Sequence, residues 1–486
     1  MINKVELNLS MLECGKTDES GTGMQFLFNE VTSLDQRCYT AFGLSEEVLM
    51  EHAAEAMAVE IRARFGAGSR IAIVCGPGNN GADGLALARL LYGRYQLCVT
   101  LPLGAKSPMA RLQFSRLEQV GGVIEKELGE CDALVDAFFG SGLSRPLNAE
   151  ALEVIRVMNG VSGYKIACDV PSGLRMNGTP DTALFSADLT VSMGALKRGM
   201  FSDAAKNVVG EIVVADLGVD RSVYETASDW QLLDRSDLRL PLREKADVHK
   251  GSFGHLGVVC GEKSGAAIIA GRAALRFGAG LVTLLSNEEV VIPYELMQSH
   301  LRPETVNAVV IGMGLGQEFS EEELRERIDG DIPLVCDADI FSHPMLGELL
   351  KRKRLVLTPH PKEFVTLLRR TGIADVDVAT LQADRFGYAE AFCRAFPDAV
   401  LLLKGANVII GHRERFYVNP HGTNALAKGG SGDVLSGLIG ALLAQGYAPI
   451  DAAIHGNLAH TEAALRFEGQ RYALTPDDLI EGARLL

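Results

Sequence analysis

IAIVCGPGNNGADGLALARLL, from Ile71 to Leu91, decides how this chain folds. Five apolar residues end at Cys75, the glycine-rich loop Gly76–Gly84 follows, and an apolar stretch of helical length begins at Gly84. A strand that runs through a tight glycine loop into a helix opens a crossover unit, in which the next strand returns parallel to the first. The same alternation continues with QLCVTLPL ending at Leu103, ALVDAFF ending at Phe139, KIACDV ending at Val170 and IVVADL ending at Leu217. Strands of this kind spaced by helical stretches predict a parallel sheet with helices on its faces.

The pattern breaks between about Val219 and Lys250, a charge-rich interval that holds the lone Trp230 and LRLPLREK. It is the candidate linker. Beyond it come HLGVVCG, LVTLL, NAVVIGM, PLVCDAD, RLVLTP, AVLLLKG and NVIIG, again alternating with helices. No short internal repeat relates the halves, so two different α/β domains are predicted, in keeping with a length of 486 residues.

Composition narrows the classes of function. Apolar residues make up 47% of the chain and charged ones 22%, the proportions of a globular protein, and 52 glycines suit many tight turns. With 47 basic and 62 acidic residues the net charge is −15, and no basic run stands out, so binding to nucleic acid is not expected. The opening MINKVELNLSMLECGKTDES lacks an apolar signal core and no stretch approaches the roughly 20 apolar residues of a membrane span, so a cytoplasmic protein without a membrane partner is expected. Nine cysteines, spread singly from Cys14 to Cys393, form no C-x-x-C pair and read as buried thiols.

In the first half, the loop Gly76–Gly84 can turn backbone N–H groups toward a phosphate at the start of a helix. It lacks G-K-[ST], which excludes the Walker A loop, and no ribose-binding acid follows the next strand. Asn79, Asn80 and Asp83 crowd polar groups into it beyond what a turn requires. Asp136 before FFGSGLSRP and Asp169 before VPSG end further strands, and carboxyl ends of parallel strands share one edge. Asn80, Asp136, Asp169 and Ser172 can therefore meet in one crevice, where oxygen donors suit a hard cation.

The second half is sharper. In NALAKGGSGDVLSGLIGALLAQG, Asn424 to Gly446, three glycines (Gly429, Gly430, Gly432) let backbone N–H groups approach an anion, and the helix after Asp433 aims its positive end there. Asp433 stands where a carboxylate can take a proton from a hydroxyl beside a phosphoryl group; capping of the helix is the plainer reading. TPHPKE holds His360 and Glu363 at a strand end, and LLLKGANVII holds Lys404 and Gly405 at another. Lys404 can meet a phosphate as a point charge or serve as a solvated strand-end lysine.

Over nearly its whole length the chain resembles the bifunctional NAD(P)H-hydrate repair enzymes. NNGADG, DAFFGSGL and DVPSG carry the resemblance to the epimerase domain; KGSFGHLGVVCG, RFGAGLVT, TPHPKE, LLKGA and GGSGD carry it to the ADP-dependent dehydratase domain. The resemblance implies a Rossmann-like three-layer domain over residues 1–225 and a ribokinase-like α/β domain over 235–486. The implied substrates are the hydrates NADHX and NADPHX with ADP as phosphoryl donor, aided by magnesium, in a homo-oligomer. In the first domain it assigns Asn79, Asn80, Gly81, Ala82, Asp83, the loop residues Gly140, Ser141, Gly142, Leu143, Ser144, Arg145 and Pro146, and Asp169 to the hydrated dinucleotide. Asn80, Asp136 and Ser172 match potassium ligands, Asp169 is the candidate acid/base, and Lys106 is a second candidate. In the second domain Ala267, Gly316, His360 and Asp433 match hydrate-binding positions, while Lys404, Gly405, Ala406, Asn407, Val408 and Gly432 match the nucleotide site.

Water leaves poorly as hydroxide and well once its oxygen carries a phosphoryl group. The expected chemistry is thus phosphorylation of the C6 hydroxyl with Asp433 as base, then elimination, while the first domain interconverts R and S hydrates. The chain departs from the family at Met50–Ala58, MEHAAEAMA, where an Asn-Ala-Gly-like segment is usual, and its first twenty-odd residues look like an extension. A ribokinase-like vitamin kinase, for hydroxymethylpyrimidine or hydroxyethylthiazole, fused to a non-catalytic nucleotide-binding module is the rival reading of the same G-x-G-D element.

Overall fold

The computed structural model describes residues 24–486; Cys14 and the extension expected at the N-terminus lie outside the described residues apart from its end. The chain forms two compact units whose main segments are Phe26–Trp230 and Gln231–Leu486, a division inside the interval read as a linker.

In the first unit seven parallel strands lie in the order Ile124–Glu125, Gln96–Thr100, Arg70–Cys75, Ala133–Ala137, Tyr164–Cys168, Leu189–Met193 and Glu211–Ala215. The chain starts in the middle, winds outward, then returns to lay Ala133–Ala137 beside Arg70–Cys75 with Val74 opposite Asp136. This reversal opens a crevice at the carboxyl ends of the two strands. Alternate side chains of Arg70–Cys75 feed two cores: Ile71, Ile73 and Cys75 pack on one face with Met57, Ala58 and Ile61, while Ala72 and Val74 pack on the other with Ile155 and Met158. The result is the expected three-layer, Rossmann-like architecture.

The second unit repeats the logic at larger scale. Met297–Ser299, Leu281–Leu285, His255–Val259, Ala308–Ile311, Leu334–Cys336, Leu355–Leu357 and Ala399–Leu403 run parallel, and Val408–His412 and Arg415–Asn419 extend the sheet as an antiparallel hairpin. The helix Ser431–Ala444, buried along most of its length, packs between the helices Ser264–Arg276 and Pro449–Leu465. Its glycines permit that fit, since a Cβ on Gly437 would lie 2.2 Å from the backbone oxygen of Ala270.

Each strand quoted from the sequence is present, shortened by a residue or more where a proline or aspartate turns the chain. Seven of the described strands were not foreseen, among them Leu189–Met193, Met297–Ser299 and Arg415–Asn419. In the first, Thr190 and Ser192 interrupt the apolar run, yet both are buried and donate hydroxyl hydrogen bonds to Val209 O and Ala195 O. In the last, the hairpin turns at Arg413 with φ 59°, where sequence rules expect glycine or asparagine. Among the described residues no helix is long and apolar enough to cross a membrane.

Candidate active sites

The first site grows from the loop after Cys75. Gly76 passes so close to the neighbouring strand that a Cβ would lie 1.7 Å from Phe138 O, and a Cβ on Gly81 would lie 1.8 Å from Gly76 O. The helix Asn79–Leu91 therefore starts hard against the crevice, and no side chain caps its first turn. Asn79 donates through Nδ2 to Glu46 Oε1 at 2.6 Å. Gly140, Ser141, Gly142, Leu143, Ser144 and Arg145 line a cavity of about 590 Å³ together with Asn79, Asn80, Asp83 and Asp169. Gly81 and Ala82 are buried beneath it, and Pro146 lies off its wall.

Asp169 adopts φ 72°, a left-handed conformation that costs a non-glycine residue energy and signals a constraint at a working site. Its Oδ2 accepts the N–H of Ser141 at 2.8 Å, and its Oδ1 lies 2.5 Å from Nζ of the buried Lys197. Burial pushes this carboxyl up, but Lys197 and the Ser141 N–H outweigh it and hold Asp169 below the usual carboxylate range. Lys106 is exposed on the next loop, off the cavity wall, its N–H bonded to Pro77 O. Lys197, not singled out in the sequence, is the lysine at Asp169.

Asp136 and Ser172 form a buried pair: Ser172 donates its N–H to Oδ2 at 2.8 Å and its hydroxyl to Oδ1 at 2.6 Å, and Phe138 N–H adds a bond at 3.1 Å. Burial pushes the Asp136 carboxyl up to about 6 despite these donors. At the end of the adjacent strand, Asn80 Nδ2 is buried without a hydrogen-bond partner among the described residues. A half-turn of that amide would place an oxygen there instead. Amide, carboxylate and hydroxyl oxygens with an orphaned polar atom fit a hard cation.

Sequence reading also passed over Asp35, whose Oδ1 accepts the Tyr224 hydroxyl at 2.7 Å, both residues lining the cavity. The helix Glu46–Arg64 brings Met50 and Ala53 to the same wall, so the departure at MEHAAEAMA falls on this cavity.

The second site forms at the start of the helix Ser431–Ala444, where Gly430 takes φ 87° and no side chain caps the helix. Lys404 Nζ lies 2.7 Å from Asp337 Oδ1, and Ser436 Oγ donates to Asp337 Oδ2 at 2.9 Å. A Cβ on Gly432 would be 3.2 Å from Lys404 Nζ, which puts the glycine backbone, Lys404 and Asp337 at one point. Burial and then the Asp337 charge raise Asp433 to about 6, with Lys404 working the other way. Asp433 thus sits where its carboxylate is basic enough to accept a proton near neutrality.

The strand-end loops converge here. Lys404 N–H donates to Pro359 O at 2.9 Å, joining TPHP to the loop Lys404–Val408. Buried Arg385, unremarked in the sequence, grips that loop by donating to the carbonyls of Leu403, Lys404 and Asn407. His360 caps the helix Pro361–Arg370: its Nδ1 accepts Glu363 N–H at 3.2 Å, and Glu363 Oε2 accepts His360 N–H at 2.8 Å. Glu363 is raised by burial and by Asp337. Gly316, at φ 62°, donates its N–H to Asp339 Oδ2, and the carboxylate of Glu262 lies over the position a Cβ would take. Ala267 is fully buried in the helix Ser264–Arg276. Ser431 is held from behind by His460, whose Nε2 lies 3.1 Å from its hydroxyl.

Two α/β units, each with a glycine-rich helix start beside carboxyl groups whose pKa values their surroundings shift, have the frame of a two-centre enzyme. A family model described as NAD(P)H-hydrate dehydratase matches residues 256–484, and one described as YjeF-related protein N-terminus matches residues 46–199. The bifunctional NAD(P)H-hydrate repair enzyme Nnr of Helicobacter pylori is 42% identical, over 95% of this chain and 100% of its own. That of Coxiella burnetii is 36% identical over 93% and 97%. A crystal structure of ADP/ATP-dependent NAD(P)H-hydrate dehydratase from Bacillus subtilis, co-crystallized with ATP/Mg2+, is 31% identical over 50% of this chain and 92% of its own, with a TM-score of 0.42. The chain belongs to the family of bifunctional NAD(P)H-hydrate repair enzymes. Membership across both halves displaces the rival vitamin-kinase reading.

Proposed function

We propose that the chain repairs hydrated nicotinamide nucleotides: residues 1–225 interconvert the R and S forms of NADHX and NADPHX, and residues 235–486 dehydrate the S form, converting ADP to AMP and phosphate. One observation carries the dehydratase half: Asp433 with its raised pKa beside Lys404 and the glycine-rich helix start. Asp433 takes the proton of the C6 hydroxyl as that oxygen attacks the terminal phosphoryl group. Backbone N–H groups of Gly430 to Gly432 and the helix dipole stabilise the charge that develops, and Lys404 draws the phosphates in. Loss of phosphate from C6 and of a proton from C5, whose C–H electron pair becomes the C5–C6 double bond, then restores the dihydronicotinamide. Magnesium neutralises nucleotide phosphates when bound; Asp337 and Glu363 are the carboxylates at hand, and one or two suffice for an ion that arrives on phosphate.

In the epimerase half, the loop Gly140–Pro146 and the start of the helix Asn79–Leu91 hold the pyrophosphate, and Asp169 moves the proton. Asn80, Asp136 and Ser172, from the ends of three neighbouring strands, would hold potassium, which would supply positive charge beside the crevice.

The test is to incubate the full chain with mixed R and S hydrate, magnesium and ADP or ATP, and follow the dihydronicotinamide absorbance at 340 nm. Complete recovery that needs a nucleotide supports both halves. Recovery without nucleotide overturns the dehydratase, and recovery that stops at the S fraction overturns the epimerase.

A further inference from the structure

Of the four carboxyl groups that line the first cavity, the fold treats Asp169 and Asp83 oppositely. Asp169 is bonded to Lys197 at 2.5 Å. Lys197 is itself wholly buried, donates to Ser192 Oγ at 3.1 Å and to Met193 O, and has its backbone fixed where Phe28 pairs with it in a parallel bridge. Asp83, on the helix Asn79–Leu91, lines the same cavity but forms no ion pair among the described residues. The surrounding wall is apolar at Leu49, Met50, Ala53 and Leu217, and its other acids are Asp35 and Glu46.

We propose that Lys197 divides these two carboxyl groups into a base, Asp169, and an acid, Asp83, and that the pair opens and recloses the hydrated ring. This rests on the epimerase reading above. Burial, then the charges of Asp169, Asp35 and Glu46, push Asp83 well above the usual carboxylate range against the opposing Lys197, so Asp83 keeps its proton while Asp169 is ionised. Pairs of acids driven apart by their surroundings supply the two proton-transfer partners a reaction of this kind requires.

The hydrate carries a hydroxyl and the ring nitrogen N1 on the same carbon, C6, which makes it a carbinolamine. Asp169 removes the hydroxyl proton, and the O–H electron pair becomes the second bond of a C6 carbonyl. The C6–N1 bond breaks with its electron pair on N1, which takes the proton of Asp83. The open aldehyde turns about C5–C6, and N1 attacks the other face of the carbonyl. On closure the N1 proton returns to Asp83, and the new hydroxyl oxygen recovers its proton from Asp169. No atom is gained or lost, and both acids end as they began.

Lys197 is a positioning residue here, and the pH profile reports on it. The other titratable groups facing this pair are Asp35, Glu46, Tyr39, Tyr224, Cys75 and Cys168; burial raises the two phenols and two thiols, which keeps them neutral. Interconversion of R and S hydrate by the full chain is measured without nucleotide, by chromatographic separation of the two forms, with ADP-driven dehydration as the control for folding. Asp83→Asn is expected to slow interconversion by roughly 100-fold or more and to leave dehydration unchanged. Lys197→Met is expected to slow it similarly and move the acidic limb of its profile to higher pH, with Lys197→Arg restoring the limb. Asp83→Asn breaks no ion pair and decides the question if Lys197→Met does not fold. Interconversion by Asp83→Asn at the parental rate, or an unmoved acidic limb in folded Lys197→Met, overturns the division of roles and leaves the epimerase reading intact. A parental chain that does not interconvert the hydrates overturns both.

Discussion

Lys404 Nζ reaches Asp337 Oδ1 at 2.7 Å, so the lysine of the loop Lys404–Val408 is held in place by a carboxylate. The same two charges act on Asp433 in opposite senses, Asp337 raising it and Lys404 lowering it. A base works only when ionised, so dehydration should fall as pH drops through about 6. In Asp337→Asn that limb should move to lower pH, and in Lys404→Met to higher pH. Profiles of kcat/KM between pH 4.5 and 8 for the three proteins, at roughly half-unit steps spanning the shifted limbs, check both directions.

Separate carboxylates on separate units predict separable activities. Asp433→Asn keeps the side chain's size but cannot accept a proton, so dehydration should fall about 10²- to 10⁴-fold while R/S interconversion persists. Asp169→Asn should do the reverse, leaving repair of S hydrate near normal. Loss of both activities in Asp433→Asn that is still folded by circular dichroism would contradict the two-centre account.

The Asp136–Ser172 pair with the orphaned Asn80 amide predicts dependence on a monovalent cation. Potassium should support interconversion better than lithium, whose strong hydration resists exchange for protein oxygens. Ser172→Ala should weaken the preference. Rates in matched chloride salts, with dehydration assayed alongside, separate this from a general salt effect.

Packing supplies a prediction about stability. Gly437→Ala would set a methyl 2.2 Å from the Ala270 backbone oxygen, and overpacking of this kind costs about 1–3 kcal/mol. Gly347→Ala, with open space around it inside the helix Leu346–Leu349, should be neutral or stabilising. Urea midpoints of the two variants against the parent make the comparison.

The strand–loop–helix starts were legible because they are local: Gly76–Gly84 and Gly429–Asp433 declare their turns and helix ends within a few residues. The partners were not. Lys197 becomes part of the first site only when Leu189–Met193, a strand disguised by its buried hydroxyls, docks beside Tyr164–Cys168 and carries the following turn to Asp169. Asp337 stands 67 positions from Lys404, yet a signal existed, since PLVCDAD ends a strand in the way that singled out Asp136 and Asp169. Arg385 carried no signal, because its hold on the loop is through backbone carbonyls, which any sequence supplies. His360 was read as a ligand position, and its ring already serves as a helix cap.

Gly76 and Gly81 meet at a crossing of backbones with no room for a methyl on either. In a saturation library these positions should tolerate nothing, even in a selection blind to epimerisation that asks only for soluble protein. Intolerance there would register assembly of the sheet edge, whereas Asp83 and Asp169 should accept amides in the first screen and fail only in the second. Comparing the two selections residue by residue would separate what shapes the crevice from what works inside it.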